Sequence, residues 1–201
     1  MKKITAFIVI CLLSLLFVFG AFAAGLGPVM KASDAAKMPD DARVVVKGKI
    51  KATAELDRFV LEDSSGEIMF NVKAKRLNGV ELKIGDVVEV AGEMDADSKY
   101  GAKIEAYAVI KDGAAVKYTT VAQASKAADD TWVVVKGKLK LKIDDEEYTF
   151  ADASGEMIVE IDDDNWGGVK YDQGKEVELR GEIDVNSKGI TKLDVDFIRE
   201  L

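Results

Sequence analysis

The sequence predicts an all-β protein made of two tandem five-stranded barrels, each preceded by a short helix. Three observations predict it. First, the chain repeats itself: Val44-Val45-Val46-Lys47-Gly48-Lys49 returns 89 residues later as Val133-Val134-Val135-Lys136-Gly137-Lys138. At that spacing 24 of the 72 positions from Asp40 to Lys111 match their partners, without a gap. Second, each copy holds five runs rich in β-branched and aromatic residues, with turn residues between them. Third, apolar and polar residues alternate within the runs. The pattern is clearest where Val177, Leu179, Gly181 and Ile183 interleave with Glu176, Glu178, Arg180 and Glu182. Such alternation turns one face of a strand to a core and the other to water.

Residues 1–23 have the features of a secretory signal. Lys2 and Lys3 precede an apolar run from Ile4 to Phe19, and Ala21-Phe22-Ala23 is a small-residue cleavage site. The alternative is an N-terminal membrane anchor, because the run approaches the ~18–20 residues that span a bilayer. The first repeat is assigned to residues 28–112, a linker to 113–118 and the second repeat to 119–201. In the first repeat Ser33 is placed to cap a helical patch from Asp34 to Met38, which Pro39 stops. In the second, Thr119 or Thr120 caps a patch from Val121 to Ala128. Strands are expected at Arg43–Thr53, Phe59–Asp63, Ile68–Lys73, Asp86–Met94 and Lys103–Ile110. Their counterparts are Trp132–Ile143, Tyr148–Asp152, Met157–Asp162, Lys175–Ile183 and Thr191–Arg199. Gly48 and Gly137 lie inside the long first strands, where glycine suits a sharp bend at a barrel corner. Five strands, a bent first strand and an interruption after the third suit the OB barrel. Units of roughly 80–90 residues are within the range that folds independently.

Composition excludes several chemistries. The chain has no His, and its single Cys, Cys11, lies inside the predicted signal. Disulfides, thiol catalysis, Ser-His-Asp triads and His or Cys zinc sites are therefore closed to the mature chain. Without Lys2 and Lys3 the balance is 26 basic to 36 acidic residues. The charge is uneven: residues 24–118 hold 15 basic and 16 acidic residues, residues 119–201 hold 11 and 20. Nucleic-acid binding needs basic surface to displace counterions, so no nucleic acid is expected as partner.

The second copy resembles the bacterial OB-fold (BOF) family of YgiW/YdeI-type periplasmic proteins. The residues that carry the resemblance are Asp129-Asp130-Thr131-Trp132-Val133, Tyr148-x-Phe150-x-Asp152-x-Ser154-Gly155, Ile161-Asp162, Trp166-x-Gly168-Val169 and Gly181-Glu182-Ile183-Asp184. The first copy keeps Asp40-Asp41, Asp63-x-Ser65-Gly66, Gly79 and Gly92-Glu93-x-Asp95, but has Arg43 and Leu77 at the two tryptophan positions. The resemblance implies export to the periplasm, OB barrels, no catalysis and a part in envelope stress tolerance; no cofactor is implied. Tandem arrangement departs from the usual single-domain form.

OB barrels bind along strands two and three, between flanking loops. In the second copy these loops are Asp144-Asp145-Glu146-Glu147, Asp162-Asp163-Asp164 and Asp184-Val185-Asn186-Ser187-Lys188. The candidate ligand-binding residues are Trp166, Tyr148, Asp144, Asp145, Asp162, Asp163 and Asp164. Converging acidic loops raise the local concentration of cations, so a cationic peptide or small ligand is the expected partner; a solvated acidic surface is the plain alternative. A cell-wall oligosaccharide stacked on the aromatics, or a purely structural or protein-interaction pair of domains, are the other readings. Trp166 is either a contact residue or a plug at one end of the barrel. In the first copy the middle loop changes sign, to Lys73-Ala74-Lys75-Arg76, which offers a surface to dock on the acidic loops of the second. Asp184-x-Asn186-x-Lys188 begins like a calcium loop but has Lys where an oxygen ligand belongs, so it is read as a polar hairpin turn and no metal is expected.

Overall fold

The structure is a computed structural model that describes residues 27–55, 57–98 and 101–201. The predicted signal, residues 1–23, lies outside the described residues. The first repeat holds α1 (Ala32–Ala35), β1 (Arg43–Glu55), β2 (Arg58–Asp63), β3 (Gly66–Val72), a 3-10 turn at Ala74–Leu77, β4 (Val87–Asp95) and β5 (Lys103–Lys111). The second holds α2 (Val121–Ala124), β6 (Trp132–Lys142), β7 (Glu147–Asp152), β8 (Gly155–Glu160), a 3-10 turn at Asp163–Trp166, β9 (Glu176–Val185) and β10 (Thr191–Glu200). Both sheets close into barrels with the same strand order, β1-β2-β3-β5-β4 and its equivalent. All ten expected strands are present. Among the described residues no helix is long and apolar enough to cross a membrane.

Closure depends on the first strand serving two neighbours. The first part of β6 pairs with β9, from Trp132 opposite Glu182 to Lys138 opposite Glu176, and its later part pairs with β7. The strand turns where it changes partner, at Gly137. A Cβ there would lie 2.8 Å from the Phe150 ring and closer still to the Ala151 carbonyl, so glycine is required by close approach. The ring is sealed by a parallel pair in each barrel, β3 with β5 and β8 with β10. Inside, Ile50, Leu61, Phe70 and Ile104 fill the first barrel, and Leu139, Phe150, Ile161, Leu179 and Leu193 fill the second.

The helices are shorter than the sequence suggested, and one is capped differently. Ser33 does not cap α1; the N-cap is Lys31, which supplies no side-chain bond. The cap comes from the turn between β2 and β3. Asp63 Oδ2 accepts from the Ala32 amide at 2.9 Å and Ser65 Oγ from the Ser33 amide at 3.0 Å. The second repeat repeats the device, with Asp152 on Val121 at 2.9 Å and Ser154 on Ala122 at 2.9 Å. Thr120 adds a capping box with Gln123. The shared Asp-x-Ser-Gly sequence is therefore a helix cap supplied from 31 residues away. Desolvation opposes ionisation of both aspartates, but the serine hydroxyl and the backbone amides outweigh it, so both carboxyl pKa values are lowered. A lowered carboxyl pKa contributes stability above the unfolded pKa, and that contribution is lost as pH falls through the folded value. Replacing Asp152 by Ala is expected to cost about 1 kcal/mol, read as a fall in urea midpoint at pH 7 that narrows at acid pH.

The two barrels pack through equivalent faces. Arg76 lies over the Trp132 ring at 5.1 Å, and Arg43, at the position equivalent to Trp132, donates to Oδ1 of Asn165, at the position equivalent to Arg76. This reciprocity is the signature of an isologous contact, here between two halves of one chain. Ala91, Tyr107, Ala108 and Phe197 form its apolar centre, with the Tyr107 and Phe197 rings 5.9 Å apart. Charge makes the contact directional. Lys75 binds Glu182 at 2.7 Å and Arg76 binds Asp196 at 3.2 Å. The basic loop of the first copy thus docks on the second, but on carboxylates of β9 and β10 rather than on the acidic loops that the sequence suggests. Those strands carry the acidic residues that the packed barrels bring opposite the basic loop.

Candidate functional site

The loop between β6 and β7 and the segment after β8 meet at one end of the second barrel. Ile161 donates its amide to the Glu146 carbonyl at 2.8 Å, which draws the two segments together. As a result single carboxylate oxygens of Glu146, Glu160 and Asp162 lie within 4.8 Å of one another. The Glu146 pKa is raised, first by the Asp162 charge, then by desolvation, then by Asp163, Glu160 and Asp145. Like charges this close disfavour ionisation of one of them. One flank is already neutralised from within the chain, because Lys192 binds Glu147 and Glu160 at 2.7 Å each. Those two hydrogen bonds, Glu147 first, raise the Lys192 pKa, so the ammonium is a fixed positive charge beside an uncompensated Glu146–Asp162 pair.

The aromatic residues stand behind this acidic edge. Tyr148 is buried and makes an edge contact to Trp166, centroid to centroid 5.4 Å, and a tilted contact to Tyr171 at 5.3 Å. Lys142 Nζ sits 5.7 Å from the centre of the Tyr148 ring. Trp166 is half-buried and packs against the barrel core. Of the three rings, only Tyr171 is exposed, with its hydroxyl donating to the Lys140 carbonyl at 3.1 Å.

Of the sequence candidates, Asp145, Asp162 and Asp163 share one electrostatic environment around Glu146, and Tyr148 and Trp166 share one aromatic contact. Asp144 uses Oδ1 to accept the Asp145 amide at 2.8 Å, and Asp164 is exposed on the 3-10 turn. Glu146 and Glu160 were not among the candidates. Glu160 precedes Asp162 by two residues, the spacing that returns a strand to the same face, and that signal was available. The loop after β9 folds on itself: Asn186 Oδ1 accepts the Lys188 amide at 2.9 Å and the Ile190 amide at 3.0 Å. Its Asp-x-Asn-x-Lys sequence thus serves a hairpin turn. The Asp-Asp pair shared by both copies is structural too. Asp129 accepts the Val185 amide at 2.8 Å, and Asp130 takes a left-handed φ of 60°.

The first barrel lacks this arrangement. Asp57, Arg58, Asn71 and Lys73 stand where the second has Glu146, Glu147, Glu160 and Asp162. Lys103, equivalent to Lys192, pairs instead with Asp95 at 2.7 Å and with Glu105.

Two closed five-stranded barrels of this order, with a short capped helix before each, define a tandem OB-fold protein. The chain belongs to the Bacterial OB fold (BOF) protein family, whose model matches it twice, over residues 19–111 and 105–200. It is similar to Protein YgiW of Escherichia coli (strain K12), 40% identical over 83 residues, which are 41% of this chain and 63% of YgiW. The match thus spans less than two thirds of that relative's length. It is also similar to the Calcium-regulated OB-fold protein CarO of Pseudomonas aeruginosa, 41% identical over 86 residues, 43% of this chain and 73% of CarO. Among solved structures, that of the hypothetical protein ygiW from E. coli aligns with 39% identity over 42% of this chain and 90% of that one, with a TM-score of 0.41.

Proposed function

We propose that this chain is an exported, non-catalytic binding protein of the periplasm, and that the acidic mouth of its second barrel takes a cationic ligand such as a basic peptide or a polyamine. The observation that carries this reading is the Glu146–Glu160–Asp162 cluster, in which the raised Glu146 pKa records unmet negative charge. A bound cation relieves that repulsion. Export rests on the N-terminal segment described above, and a part in envelope stress tolerance rests on the family. The name of CarO adds calcium as a cation to compare.

A titration with an oligolysine peptide tests it. Binding is expected at low salt and is expected to weaken at ~0.15 M salt, where screening acts over ~8 Å. It is also expected to fade on acidification at a higher pH than an ordinary glutamate would give, because Glu146 takes up its proton early. Glu146→Gln with Asp162→Asn should remove it. Binding that is absent, or indifferent to salt, overturns the reading. Oligosaccharide binding ranks second. The Tyr148–Trp166–Tyr171 cluster favours it, but two of the three rings are turned toward the core, and only Tyr171 offers a face for stacking.

A further inference from the structure

A second candidate site lies on the outer surface of the same barrel and shares no residue with the acidic mouth. A groove of about 520 Å³ runs along β6 where it borders β7. Gly137, Ala151 and Ala153 form an apolar floor, Tyr118 from the linker forms one wall, and Lys136, Lys138 and Lys140 form a row along it. The Tyr118 ring is held in place by its hydroxyl, which donates to Glu178 Oε2 at 2.7 Å.

Three lysines and three carboxylates line the groove, but they are not all paired with one another. Lys136 is paired with Glu176 at 3.2 Å. Asp152 is engaged with the α2 amide of Val121 and with Ser154. Among the described residues Lys138 and Lys140 have no carboxylate within ion-pair distance, although Asp152, Glu156 and Glu176 also line the groove. The groove therefore holds two ammonium groups without a direct carboxylate partner, in a chain of net charge −8.

The first repeat pairs the equivalent lysine. There Lys51 stands for Lys140 and is bound to Glu62 at 2.9 Å and to Glu67. Glu62 occupies the position of Ala151, and Val29 that of Tyr118. In the second repeat, alanine at that position removes the counter-charge and lowers the floor in one change, and tyrosine adds an aromatic wall.

We infer that this groove binds an organic anion with a planar apolar body: the ring system lies on the alanine floor against Tyr118, and the acid group meets Lys138 and Lys140. An apolar floor with a few placed polar groups is the usual make-up of a small-molecule site, and the unpaired ammonium groups set the sign of the ligand.

The test uses the full chain and the fluorescent probe 1-anilinonaphthalene-8-sulfonate, an aromatic sulfonate, beside the uncharged N-phenyl-1-naphthylamine. The sulfonate is expected to bind one per chain. Ala151→Glu, which restores the arrangement of the first repeat, and the double change Lys138→Ala with Lys140→Ala are each expected to weaken it at least tenfold. The double change should leave the uncharged probe unaffected. Circular dichroism and melting confirm that the variants fold, and the lysine variant decides the matter should the buried glutamate prove disruptive. No binding to the unaltered chain, or equal affinity in the lysine variant, overturns the inference.

Discussion

Glu178→Ala is expected to destabilise the protein by about 3–5 kcal/mol, the usual cost of removing one partner from a buried ion cluster. Glu178 is 0% exposed. It binds Arg180 Nε at 2.8 Å, Arg199 Nη2 at 2.6 Å and the Tyr118 hydroxyl at 2.7 Å. Arg180 in turn donates to the Val109 carbonyl of the first barrel at 3.3 Å. The cluster therefore ties the second barrel, the linker and the first barrel to one carboxylate. Alanine would leave the buried Arg180 and Arg199 guanidinium groups without the carboxylate they share. Chemical denaturation measures the loss, and a change below about 1 kcal/mol would sink this account of the interface. A spectroscopic signature accompanies it. Desolvation first, and then the bond to Glu178, push the Tyr118 pKa up to about 12. Without Glu178 its titration should move back toward the ordinary ~10. The pH dependence has a definite sign. Desolvation works against the Glu178 carboxylate, but Arg180 and Arg199 prevail and its pKa is lowered. Its contribution is therefore complete above the unfolded glutamate value and is lost as pH falls through the folded one.

Gly181→Val is expected to cost about 3 kcal/mol, the upper part of the range for forcing atoms into a packed interior. Gly181 lies on β9 opposite Val195, beside the irregularity between Val195 and Phe197 on β10. A Cβ there would collide with the Asp194 carbonyl and come within 2.9 Å of the Val195 Cα. The obstruction is backbone, which has no rotamer to escape into, so the β9–β10 pairing itself must shift. Thermal melting reads the effect. A midpoint within 2 °C of the parent would mean that the strands separate more easily than this packing implies. Gly92 occupies the same place in the first barrel, where its Cβ would meet the Glu105 carbonyl and the Ala106 Cα.

Much of this was legible in the sequence because strand patterns are local. Alternation in Val177–Ile183 reports burial directly, and the 89-residue repeat carries each assignment over to its twin. The helix caps were not legible. Ser33 satisfied the local capping rule, yet Asp63 and Ser65 hold the helix, and nothing near Ala32 announces a carboxylate 31 residues away. The site was half legible. Acidic loops are visible as runs of Asp, but Glu160 lies in a strand pattern, and its place beside Asp162 and Glu146 depends on how the loops meet.

The sequence by itself determined the repeat, the all-β class, the glycine corners and the uneven charge, because composition and period depend on residues close together in the chain. Only the tertiary structure decided that Arg43 and Arg76 face the opposite barrel, that Glu178 gathers two arginines and a tyrosine, and that Lys51 pairs with Glu62 where Lys140 has no such partner. Each of those depends on the distance between groups far apart in sequence, and closure of the barrels and their docking set that distance.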